Sequence, residues 1–104
     1  MLSQIREIFE TYRRHDWLLR RILLKNFLRK DFVEYETRIP VFDSDIDAAW
    51  FSRPPASGGV AWEIRSLGDP PLALLENLDE ADANFEEQLK EIENRLKKST
   101  STKT

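Results

Sequence analysis

The side chains best equipped for chemistry are few and scattered in this sequence. His15 is the lone histidine and there is no cysteine. A transition-metal site or a Ser/His/Asp triad therefore has almost no material to draw on, and a disulfide or thiolate nucleophile has none. Gly58, Gly59 and Gly68 fall in turns between strand-like runs and form no phosphate-cradling loop. His15 lies beside Arg13, Arg14 and Asp16 and reads as a solvated residue at a helix end. Asp43, Asp45 and Asp47 alternate in FDSDIDA, but that segment lacks the glycine and distal glutamate of an EF-hand and leads into a strand. It reads as an acidic turn. No residue is assigned to catalysis, to a metal or to a cofactor, and the expectation is a protein that is not an enzyme.

One pattern has an enzymatic precedent. Asp47 on one strand and Glu63-Ile64-Arg65 on the next, behind an N-terminal helix, resemble the core of the PD-(D/E)xK nucleases. The resemblance covers a hairpin and one helix. It implies carboxylates that bind a divalent metal and a basic residue that positions the attacking water. Arg65 stands where that family has lysine, and the family's later parallel strand has no counterpart. The plainer reading is a cross-strand ion pair between Asp47 and Arg65.

Charge suggests partners. The net charge is −3, yet Met1 to Lys30 holds eight Lys/Arg against three Asp/Glu, and the remainder holds eight against sixteen. A basic head and an acidic body either attract each other within the fold or form two surfaces. Arg13, Arg14, Arg20, Arg21 and Lys25, with Arg29 and Lys30 beyond them, are the candidate nucleic-acid contacts. An acidic domain argues against that partner. The leading expectation is a protein-interaction or regulatory module that binds protein, itself or another, through Trp17, Leu24 and Leu28. Nucleic acid is the alternative and the metal nuclease a distant third. Trp50 and Trp62 invite a ligand-cleft reading, with core packing the plainer one.

The elements that must position these residues follow from periodicity. The 104 residues, 40% hydrophobic and 34% charged, suit one domain over 1–98 with STSTKT at 99–104 as a disordered tail. No apolar run spans a bilayer and the N-terminus lacks a signal-peptide pattern, so no membrane partner is expected and the cytoplasm is the expected location. Leu2, Ile5, Ile8, Phe9 and Tyr12 predict a helix over Leu2 to Arg14. Asp16 predicts the N-cap of a second helix, Trp17 to Arg29, apolar on two faces; one long helix bent at Asp16 is the alternative. Period-two alternation predicts strands at 32–40, 46–52 and 60–66, with a short fourth at Leu72 to Leu75. A hairpin folded about Ala56 would oppose Trp50 to Trp62 and Asp47 to Arg65. Phe85, Leu89, Ile92 and Leu96 predict a C-terminal helix capped by Asp79. The expected fold is α+β: two N-terminal helices, an antiparallel meander of three to four strands and a C-terminal helix, with the helices on one sheet face.

Overall fold

In the computed structural model, residues 2–25, 37–54, 60–68 and 71–101 are described. The chain opens with helix α1, Leu2–Arg14, whose apolar stripe buries Ile5 and turns Phe9 and Tyr12 towards the sheet. It stops at a Schellman motif. Trp17 N–H donates to the Tyr12 carbonyl and Asp16 N–H to that of Arg13, with Asp16 left-handed at φ 68°.

Asp16 thus ends one helix and begins no other. The expected second helix is corrected: Trp17 lies in the connection, and Leu18–Leu24 is strand β1. Residues 26–29 of that expected helix lie outside the described residues. The physical reason is legible in LLRRILL. A seven-residue run apolar on both sides suits a strand buried on both faces as well as a buried helix, and periodicity alone does not separate them. Pairing decides it, because β1 is hydrogen-bonded along both edges.

Strands β2 (Val41–Asp43), β3 (Ala48–Arg53), β4 (Val60–Ser66) and β5 (Ala73–Leu78) complete one sheet in the order β2-β1-β3-β4-β5. The three- to four-stranded meander is also corrected. The described sheet has five strands and is mixed, with β1–β2 parallel and the other pairs antiparallel. Of the strand expected at 32–40, residues 32–36 lie outside the described residues, 37–40 form no strand, and β2 begins after Pro40. The hairpin forms with a register two residues from the expected one, pairing Trp50 with Ile64 and Trp62 with Ser52. An even shift keeps each side chain on its face, so the two indoles still pack edge to face, 6.1 Å between centroids.

Helix α2, Phe85–Ser101, covers the face carrying Leu23, Ala48, Trp50, Trp62 and Ile64 with Phe85, Leu89, Ile92 and Leu96. Its start lies beyond Asp79. Asp79 and Asp82 close successive turns, and Gln88 N–H donates to the Asn84 carbonyl as the helix begins. The opposite face carries Ile22, Leu24 and Val41, packed by Phe9, Leu19 and Ile39. The helices therefore lie on both sheet faces, where one face was expected. Alternate residues of β1 feed the two cores, which is why its sequence is apolar on both sides.

Candidate functional site

On the α2 face, the basic head meets the acidic body inside the fold. The register of β1 shifts between Leu19 and Arg21, a bulge that sends both arginines to the same face. Arg21 grips Glu86 with two hydrogen bonds of 2.8 and 2.6 Å and lies over Phe42. Arg20 donates to Glu80 at 2.7 Å and to Ser52 Oγ at 2.9 Å, with its guanidinium 4.7 Å from the Trp62 ring centre. Trp62 Nε1 is itself buried and finds no acceptor among the described residues. The Arg21 contact holds the Glu86 carboxyl below its ordinary value.

Beside this pair runs a cleft of about 440 Å³, with Leu23, Phe42 and Leu89 among its lining and Glu86 and Glu93 on the helix side. Glu93 accepts from Trp50 Nε1 at 2.8 Å, and burial pushes its carboxyl above the usual range.

On the other face, α1 packs over β1 and reaches Phe51 of β3 through Phe9 and Tyr12. Among the described residues, no element covers the β4–β5 half of that face. Ala61, Glu63 and Arg65 are half-buried, Ala73 and Asn77 are exposed, and Leu75 is 59% exposed. β5 is also an edge of the sheet that the described strands form. Ser66 N–H donates to the Leu72 carbonyl, and the register runs without interruption from Arg65↔Ala73 to Val60↔Leu78. Antiparallel alternation then turns the amides and carbonyls of Leu74, Glu76 and Leu78 towards β4, and those of Ala73, Leu75 and Asn77 outward.

Where the end of α1 meets β4, a pocket of about 270 Å³ is lined by Thr11, Tyr12, His15, Trp17 and Glu63. Tyr12 donates its hydroxyl to Glu63. Its ring stacks on Phe51 at 3.9 Å and meets Trp17 edge to face at 6.0 Å. The Arg53 guanidinium lies 4.7 Å from the Trp17 ring centre and donates to the His15 carbonyl. Burial first, then the hydrogen bond to Glu63 and the charge of that carboxylate, holds the Tyr12 phenol far above its ordinary value.

The residues singled out by sequence land in different places. Of the expected interaction face, Trp17 lines this pocket, Leu24 is 5% exposed beneath α1, and Leu28 lies outside the described residues. Of the basic residues, Arg13 pairs with Glu10, Arg14 donates to the Glu10 carbonyl at 3.4 Å, and Arg20 and Arg21 are held by Glu80 and Glu86. Lys25 ends up at the far end of β1, its amide bonded to Asp47 Oδ1. Asp47 and Glu63 do not converge: Asp47 caps that amide ahead of β3, while Glu63 faces Tyr12 from the middle of β4. Arg65 donates to the Ser66 carbonyl. Asp45 pairs with Lys97 at 2.7 Å. Among the described residues, no three His, Asp or Glu gather as a metal site requires. Trp50 and Trp62 are core residues.

Sequence reasoning passed over Tyr12 as one more residue of a helical stripe, and passed over the β5 edge because it ended that strand at Leu75. The residue types of Leu75-Glu76-Asn77 carry no signal of that edge, which follows from the β4–β5 register. No helix among the described residues is long and apolar enough to cross a membrane. Comparison with protein-family models, with curated proteins and with solved structures finds no significant match.

Proposed function

We propose that this protein is a non-catalytic interaction module that self-associates, two copies joining their sheets antiparallel through β5. The observation that carries this reading is the character of that edge. β5 is six residues long and evenly paired, with no proline, lysine or bulge to blunt it. Its one charge, Glu76, lies on the α2 face, where Arg95 reaches it. Protein edges of this length are ordinarily protected by such devices, and an unprotected edge is a template for another strand.

The edge is also self-complementary. A twofold axis through Leu75 sets Leu75 against its own copy and Ala73 against Asn77, all of which turn their backbone groups outward. About six backbone hydrogen bonds would form, with the two exposed leucines side by side on the open face. The charges favour protein over nucleic acid as partner, because Arg20 and Arg21 are already engaged by Glu80 and Glu86.

Sedimentation equilibrium over a concentration series tests the reading, with Leu75→Lys and Leu75→Pro as variants. Lysine at 75 is placed across from Glu63, which offers it an ion pair within the chain. Proline there removes only an amide that faces outward. Wild type moving from monomer to dimer, with both variants folded and monomeric, supports the proposal. A wild type that stays monomeric at high concentration overturns it.

A further inference from the structure

We propose that the pocket between the end of α1 and β4 binds an alkylated ammonium group, held by the Glu63 carboxylate against the rings of Tyr12 and Trp17. Among the described residues Glu63 has no cationic partner. Its one hydrogen bond comes from the neutral Tyr12 hydroxyl, and the nearby Arg65 guanidinium is turned to the Ser66 carbonyl instead. A carboxylate whose one partner is a neutral hydroxyl keeps its charge available to a cation.

The surroundings select the kind of cation. Aromatic rings attract positive charge through their negative faces, and most strongly when the cation is poorly hydrated. The Trp17 indole already does this within the chain, since Arg53 lies over it. Tyr12 is fixed from behind by its stacking on Phe51, so the wall is set before a ligand arrives and little ordering cost remains. A volume of about 270 Å³ admits a group of tetramethylammonium size with part of an attached chain. A small, strongly hydrated metal ion would want several oxygen ligands, which the pocket does not supply.

The test is a titration read by the three indole N–H resonances in a ¹H–¹⁵N spectrum. Trp50 and Trp62 are core residues, which leaves Trp17 as the reporter. Tetramethylammonium chloride is the probe, with sodium chloride and tert-butanol as controls for ionic strength and shape. Choline and an N-acetylated trimethyllysine amide follow as the two sources of such a head group. The expected result is a saturable shift of the Trp17 indole with the ammonium probes alone. Glu63→Gln, nearly isosteric, should weaken it by roughly fivefold, while Tyr12→Phe, which keeps the ring and releases the carboxylate, should bind at least as tightly. Equal affinity for choline and the lysine derivative assigns recognition to the head group; tighter binding of the latter assigns a protein side chain as the source. A linear response matched by sodium chloride, an equal response to tert-butanol, or an unchanged affinity in Glu63→Gln overturns the proposal.

Discussion

Leu24 separates the observed fold from the one that periodicity favours. On a helix spanning Trp17 to Arg29 it belongs to an outer face; in β1 it is 5% exposed, packed with Ile22 and Val41 and covered by Phe9, Leu19 and Ile39. Leu24→Ala removes about three methylene equivalents, a transfer loss of about 2–3 kcal/mol. Strands and a helix that cannot fully collapse around the gap bring the total to about 3 kcal/mol. For a domain of this size the whole stability is on the order of 5–15 kcal/mol, and the midpoint should fall by roughly 12–24 °C. Leu18, on the same strand but 60% exposed, is the control. Its alanine variant should stay within about 0.5 kcal/mol of wild type. Urea denaturation followed by tryptophan fluorescence and thermal melts by circular dichroism measure both. If Leu24→Ala melts within about 3 °C of wild type, Leu24 is not a core residue and the assignment of β1 fails.

Two further substitutions probe local chemistry. Glu93 is held above its ordinary carboxyl value by burial, so its neutral form favours folding; that contribution is complete below the ordinary value of 4.5 and is lost as pH rises through the folded-state value. Glu93→Gln keeps an oxygen for Trp50 Nε1 and removes the charge, so the variant should gain on wild type as pH rises from about 4.5 to 7; melting curves that run parallel across that range would contradict it. Asp16→Gly should raise stability by about 0.5 kcal/mol in denaturant melts, because glycine takes the left-handed position of a Schellman motif without strain. A loss of stability would fit an N-cap and refute the observed helix end.

The parts of this fold written in local pattern were readable from the sequence. α1 keeps the bounds its stripe predicts, β4 keeps its alternation over Val60–Ser66, and the α2 stripe of Phe85, Leu89, Ile92 and Leu96 packs as its spacing requires. What failed depends on other parts of the chain. LLRRILL has the same apolar content as strand or as helix, and only the edges of β2 and β3 choose between them. The hairpin register slipped by two because a Trp–Trp pairing and the observed Trp50–Ile64 pairing satisfy the same face. The candidate site was less legible still. Glu63 attracted attention as one acid of an Asp47 pair, yet its neighbour is Tyr12, brought across by the path of α1 over the sheet. The outward amides of Ala73, Leu75 and Asn77 exist only once the β4–β5 register is set.

Because the chain has no cysteine, position-specific cross-linking tests self-association through β5 most directly. Directly opposed residues in a hydrogen-bonded antiparallel pair have Cα atoms about 5.5 Å apart, within the range a disulfide bridges. Leu75→Cys should therefore oxidise readily to a covalent dimer, and Ala73→Cys mixed with Asn77→Cys should give the mixed dimer in preference to either homodimer. Glu76→Cys, directed to the α2 face, should remain monomeric under the same conditions. Cross-linking at Glu76→Cys as fast as at Leu75→Cys, or none at any of these positions, would contradict the β5 dimer.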